Sequence, residues 1–303
     1  MKTTKAPPPD PATFTENPTC LLGVPFADYC QWPALHKSRL WTAWEKTLNH
    51  YKHEIDHPEL WESTEALVIG HAAHTATLEP DDFARIYVQP PPPPDDRAGG
   101  KWNRTYKEHK AAWAIFKSEC QQRGWTELDL EDYQMAVAVR KAVYADPDAN
   151  ELLKGAACEV SFMWRDPTFP TLLKGRADAI KGSVLIDLKT TQCAAATRFG
   201  SDAYKLGYHF QAALYADGLK ATGKAIDHVI LIAVEKDVDR LKTGAPLLVS
   251  CYEVSRGQIE MGRGQYKHLL EQIAEAQKSG FWPGYGGGIK DLCFPAWAGT
   301  ELV

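Results

Sequence analysis

No stretch of this 303-residue chain approaches the ~20 consecutive apolar residues that a membrane-spanning helix needs. The N-terminal run Met-Lys-Thr-Thr-Lys-Ala-Pro-Pro-Pro also lacks the apolar core of a signal peptide, so a soluble, cytoplasmic protein with no membrane partner is expected. Positive charge is not in surplus: Lys and Arg number 34 against 39 Asp and Glu, a formal net charge of −5. No global field advertises a nucleic acid, and any such contact must be local. The seven cysteines, at positions 20, 30, 120, 158, 193, 251 and 293, include no Cys-x-x-Cys pair. An odd, scattered set fits neither a disulfide framework nor a zinc knuckle, and implies a reducing compartment.

What is present belongs to a folded protein. Hydrophobic residues make up 44% and charged residues 24%, with ten Trp and twelve Tyr, far from the composition of a disordered chain. The length permits one elaborated domain spanning 20–303. Proline runs at Pro7–Pro11 and Pro90–Pro94 exclude helix and interior strand. They suggest a flexible terminus over 1–19, a helical N-terminal section over 20–100 ending in a linker, a core over 101–280 and an irregular tail over 281–303. In the helical section Ser38 is placed to cap a helix carrying Leu40, Trp41, Trp44 and Leu48, with both tryptophans in the core, and a second helix is read over Ala66–Leu78. Further helices are expected over Tyr106–Arg123 and Asp129–Tyr144.

The texture changes after Ala157. Cys158–Trp164, Leu172–Ile180 and Val184–Leu188 read as a three-stranded meander, followed by a helix Tyr208–Ala221, strands His228–Val234 and Leu247–Val254, and a long amphipathic helix Gln258–Lys278. Helices before, between and after strands predict an α/β class with a central mixed sheet flanked by helices.

One segment carries chemistry: Gly175-Arg-Ala-Asp178-Ala-Ile-Lys-Gly-Ser-Val-Leu-Ile-Asp187-Leu-Lys189-Thr-Thr. With Lys181-Gly182-Ser183 as a hairpin turn, Asp178 and Asp187 fall on neighbouring strands at one edge. Alternation puts Asp187 and Lys189 on one face and Leu188 on the other. Two acids and an amine suit phosphodiester hydrolysis: carboxylates hold one or two Mg²⁺ or Mn²⁺ ions, and the lysine orients or deprotonates water, or holds a phosphate oxygen. The bland alternative is a solvated hairpin with an exposed ion pair, worth little. Val184-Leu185-Ile186 argues against it, because a buried strand makes an uncompensated charge costly.

Together with Glu159, Gly70-x-x-x-His74 and Gln211-x-x-x-Tyr215, this segment resembles the RecB-like branch of the PD-(D/E)XK nucleases, most closely the exonuclease VIII (RecE) type of phage recombination enzyme. Leu78-Glu79-Pro80 and Pro295-Ala296-Trp297 are similar too. The resemblance implies a restriction-endonuclease-like core and a 5′-to-3′ exonuclease acting on double-stranded DNA ends in homologous recombination. It implies a closed ring of copies and a single-strand annealing protein as partner. It makes Asp178, Asp187, Lys189 and Glu159 catalytic, and gives His74, Asp178, Asp187, the Leu188 carbonyl and Glu159 to two metal ions. Gln211 and Tyr215 would contact the DNA backbone or brace the site, and Arg176, Arg198 and Lys205 would bind DNA.

Other readings stay open. An endonuclease, a Cas4-like end-trimming enzyme or a catalytically silent scaffold would share these features. A zinc pair at His71 and His74 lacks further ligands, and an iron–sulfur cluster lacks closely spaced cysteines near the C-terminus. The basic stripe Lys101, Arg104, Lys107, Lys110 and Lys117, beside Trp102, Tyr106 and Trp113, reads as a solvated helix face rather than a DNA track.

Overall fold

In a computed structural model, residues 18–60, 65–169 and 171–292 are described. The Pro7–Pro11 run, Cys293 and Pro295-Ala296-Trp297 lie outside them. Along the chain come β1 (Thr19–Leu21), α1 (Phe26–Gln31), α2 (Lys37–Glu45), α3 (Leu48–Asp56), α4 (Glu65–Leu78), α5 (Pro80–Ile86), β2 (Tyr87–Val88), α6 (Lys107–Arg123), β3 (Thr126–Glu127), α7 (Leu130–Ala145) and α8 (Pro147–Leu153). Then follow β4 (Ala157–Arg165), β5 (Leu172–Lys181), β6 (Val184–Thr191), α9 (Ala196–Lys205), α10 (Tyr208–Ala221), β7 (His228–Glu235), α11 (Val238–Thr243), β8 (Val249–Glu253) and α12 (Arg256–Ser279).

Six strands form one sheet in the order β1-β4-β5-β6-β7-β8. Within this sheet only β6 and β7 run parallel, joined through α9 and α10 as a parallel pair must be, and its other pairs are antiparallel; β2 and β3 form a separate parallel pair. The class is α/β with a mixed central sheet, as the helix and strand order predicted.

Side chains alternate between two cores. Along β7, Val229, Leu231 and Ala233 join a layer with α2, α3, α10 and α12, while Ile232 and Val234 join a second layer with α4 and α7. The second layer is thin because α4 offers Ala72, Ala73 and Ala76, all essentially inaccessible, which lets its backbone lie close to α7 and the sheet. That close approach carries His74 to the strand ends. On the other face Trp41 of α2 packs against Gly207, whose left-handed φ of +67° starts α10.

Several local expectations are corrected. His36, not Ser38, stands at the N-cap of α2, and its side chain makes no cap bond; Leu48 opens a separate helix capped by Thr47. Trp44 is 37% exposed, so only Trp41 packs against the core. The helical N-terminal section also contributes β1 to the main sheet through pairing with β4, a three-residue strand too short to show a period. Arg104, just before α6, covers the Trp113 ring at 4.3 Å, and Lys117 on α6 pairs with Glu127 at 2.8 Å, in keeping with a solvated face.

Candidate active site

The β5–β6 ladder is short. It pairs Lys181 with Val184, Ile180 with Leu185 and Ala179 with Ile186, then stops, leaving Asp178 and Asp187 as the first residues beyond the last rung. The β4–β5 ladder is interrupted at the same level, between the pairs Cys158–Ala179 and Val160–Ala177. Glu159 sits in that gap with φ +53°, the sole non-glycine residue with positive φ among those described. Its left-handed backbone reverses the alternation of β4: Cys158 faces the α4–α7 layer, whereas Val160, Phe162 and Trp164, at the same parity, face the other. β5 switches likewise between Ala177 and Ala179. Such strain persists where surrounding structure holds it, and clusters at functional sites.

Into the opening come groups from four elements, α4, β5, β6 and α10. From α4, His74 Nδ1 donates to Gly70 O at 2.8 Å and Nε2 donates to Leu188 O at 2.5 Å, with Asp178 Oδ2 3.2 Å from the same nitrogen. The Leu188 amide donates to Asp178 Oδ2 at 2.7 Å. Asp187 Oδ2 lies 2.6 Å from Lys189 Nζ, and Gln211 of α10 bridges the pair, donating to Asp187 Oδ1 at 3.0 Å and accepting from Lys189 Nζ at 3.3 Å. The Lys189 ammonium rests over the Tyr208 ring at 4.6 Å.

Burial sets the charges. It would push the His74 imidazole down, but the Asp178 carboxylate beside it lifts it to about 9, so both ring nitrogens carry protons at neutral pH. Burial also opposes ionisation of Asp178, yet His74 holds that carboxyl below its ordinary value. Asp187 is raised by burial, against the pull of Lys189, and Lys189 is raised because Asp187 and Asp178 outweigh its own burial. Glu159 is lifted to about 7 by burial and by Asp178. Displaced titration concentrated at one strand end is a feature that active sites share with buried structural ion pairs.

Not every predicted residue serves as expected. Arg176 is not free for DNA: its side chain is 8% exposed and pairs through Nε with Glu159, while Nη1 donates to Val24 O at 2.6 Å and Ser161 Oγ at 3.0 Å. A buried guanidinium must spend its donors on internal acceptors. Tyr215 is buried edge-on to Phe162 at 5.4 Å, so it packs behind the site instead of facing a ligand. Arg198 and Lys205 are exposed on α9, with no ion pair among the described residues. His71 packs against Phe26 at 5.2 Å.

Two neighbours went unread in the sequence. Lys37 of α2 donates to Leu206 O at 2.5 Å, and burial together with Lys189 pushes its ammonium down to about 7. Tyr208 carries the Lys189 ammonium. Tyr208 was signalled by its place one turn before Gln211 on a helix; Lys37, more than thirty residues before the nearest motif and about 150 before Asp187 and Lys189, had no signal.

Residues 38–293 match the model of a family described as a PDDEXK-like domain of unknown function. The chain belongs to this family. Among solved structures, a protein from Eubacterium rectale named "putative exonuclease" matches this PDDEXK-like chain with a TM-score of 0.54 at 12% identity, covering 93% of this chain and 100% of that one. At that identity the likeness shows the shared fold. A second chain, SSO0001, matches at 18% identity and a TM-score of 0.24 over 52% of this chain and 69% of its own, too weak to bear on the fold. No curated protein matches. The family and the fold together support a nuclease.

Among the described residues, no three His, Cys, Asp or Glu side chains form a ready metal cage. What does converge is His74 Nε2, Asp178 and the Leu188 carbonyl, with Asp187 turned to Lys189 and Gln211. These donors fit a hard divalent cation. A proton on one nitrogen joins two oxygens, at 2.5 and 3.2 Å, where a cation would join the same three atoms. No helix of the described residues is long and apolar enough to cross a membrane.

Proposed function

We propose that this chain is a Mg²⁺- or Mn²⁺-dependent exodeoxyribonuclease that degrades linear double-stranded DNA, 5′ to 3′, in homologous recombination of the phage type. One observation carries the reading: both ladders open at Glu159, Asp178 and Asp187, and that gap gathers these three largely buried carboxylates, a backbone carbonyl, an imidazole and a lysine. Asp178, Asp187, the Leu188 carbonyl and His74 would hold the first ion, and Glu159 would support a second. Bound ions supply an acidified water and neutralise charge on the phosphate oxygens.

The chain's own groups do the rest. Lys189, kept protonated by the two aspartates, serves as a point charge that orients water or grips a phosphate oxygen. Gln211 fixes the Asp187–Lys189 pair in one geometry, and positioning of this kind is worth orders of magnitude in rate. Tyr215 braces α10 from behind. Arg198 and Lys205 would bind phosphates. DNA ends are the proposed partner, together with a single-strand annealing protein and other copies of the chain in a ring, as the resemblance to the RecE type supports.

The test is digestion of a duplex labelled at one 5′ or one 3′ end, in Mg²⁺ or in chelator, beside a closed circle of the same DNA. Stepwise loss of the 5′ label in Mg²⁺ alone, with the circle untouched, is the expected result. Cutting of the circle would make it an endonuclease, and no cutting under any condition would make it a silent scaffold.

A further inference from the structure

Helix α9 leads from the catalytic strand β6 to α10, and its sides differ sharply. Phe199 is buried, while Thr197, Arg198, Ser201, Tyr204 and Lys205 are exposed. Its single acid, Asp202, is half-buried, so the outward face carries two cations, two hydroxyls and one aromatic ring. On a chain of net charge −5 this is a local positive surface.

Tyr204 is 60% exposed yet held in place. Its ring lies parallel to that of His209, at 5.3 Å with planes 9° apart. His209 is itself fixed, by Nε2 hydrogen-bonded to Gln265 Oε1 at 2.7 Å and edge-on against Trp41 at 6.1 Å. One face of the tyrosine is therefore backed by protein and the other is presented to solvent. The patch is continuous with the catalytic centre: next to Lys205, Leu206 is 50% exposed and its carbonyl takes the Lys37 ammonium, which feels the charges of Lys189 and Asp187. Two residues further, Tyr208 underlies Lys189.

We infer that this face of α9 holds a single-stranded DNA segment next to the scissile bond, with one base stacked on Tyr204 and the flanking phosphates on Arg198 and Lys205. A fixed aromatic face between cations is how proteins bind single strands without reading sequence. A duplex interior cannot use it, because its bases are already covered by their neighbours, and two isolated apolar side chains are too little for a protein interface. The inference rests on the nuclease reading and deepens it.

A single-stranded oligodeoxynucleotide carrying 2-aminopurine, titrated in chelator so that no hydrolysis occurs, tests it by fluorescence. Tyr204→Ala should bind about tenfold more weakly and lose the stacking quench, with Tyr204→Phe like the wild type. Binding to an end-blocked duplex should not change between the three. Circular dichroism and thermal melting of Tyr204→Ala should match the wild type, since the ring is exposed. If the wild type degrades DNA in Mg²⁺ but Tyr204→Ala binds and quenches the oligonucleotide equally well, the stacking site is refuted and the nuclease reading stands. If the wild type neither cuts DNA nor binds the oligonucleotide, both are overturned.

Discussion

Replacing Lys189 by Met should damage stability and catalysis by separable mechanisms. The ammonium lies 2.6 Å from Asp187 Oδ2, with side chains only 14% and 9% exposed. Removing one member of such a pair leaves the other charge buried, at a cost of about 3–5 kcal/mol. Gln211 still donates to Asp187 Oδ1, and the carboxyl, already raised by burial, can take up a proton. The lower end, about 3 kcal/mol, is therefore expected, or about 5 °C in Tm for a chain of this length. Asp187→Asn should cost a comparable amount, since it strands the lysine. The double variant, with no charge left to strand, should lose far less than the two singles combined, with a coupling of about 2 kcal/mol. Urea unfolding in chelator gives these values. Repeating it with Mn²⁺ should restore much of the Lys189→Met loss, because a cation again faces Asp187. Hydrolysis of linear duplex should fall about 10²- to 10⁴-fold in Lys189→Met with or without that recovery. Additive losses in the cycle, or wild-type activity in the single variant, would refute the reasoning.

Metal binding should release protons. The His74 imidazole keeps its second proton up to about pH 9, against 6.5 for an ordinary histidine, and a metal ligand must give it up. Apparent Mn²⁺ affinity should rise with pH up to about 9, with about one proton released per ion; calorimetry in buffers of different ionisation enthalpy measures it, and an unchanged heat would contradict the role of His74. The sign is opposite for the metal-free fold, where the raised His74 value contributes stability fully present below pH 6.5 and lost as pH rises through 9. Arg176→Met should lower Tm, because Glu159 loses its counter-charge, yet leave the affinity of the folded protein for DNA unchanged. The pair Arg198→Ala and Lys205→Ala should do the reverse, lowering the salt dependence of binding by about two in slope. Gly262→Ala should destabilise by about 3 kcal/mol in chemical denaturation, since its Cβ would fall 2.3 Å from the His209 carbonyl oxygen, and backbone cannot swing away as a side chain would.

Much of the architecture was legible because local patterns were strong. Helix α10 runs over Tyr208–Ala221 as its periodicity indicated, and β4 to β6 differ from their expected spans by a few terminal residues. The juxtaposition of Asp178, Asp187 and Lys189 was legible too, because a tight turn at Gly182 leaves one register, and Leu188 on the opposite face follows from the pleat. Arg176 misled because a basic residue two positions from Asp178 has the same sequence signature whether it faces DNA or a buried Glu159. Helix α9 was missed because Ala195 at its N-cap offers no capping side chain and Gly200 interrupts its middle.

The linear chain thus determined which groups exist at the strand ends and which of them share a face, since register and alternation are properties of neighbours. Only the tertiary structure decided what those groups do to one another. Strict alternation through β4 and β5 would have kept both ladders closed at Glu159 and Asp178. The left-handed residue that opens them, the alanine-lined approach that brings His74 across more than a hundred residues, and the burial that displaces each charge depend on contacts between segments distant in sequence. The centre opens because packing from both layers holds one glutamate in a conformation that no local preference of its own would choose.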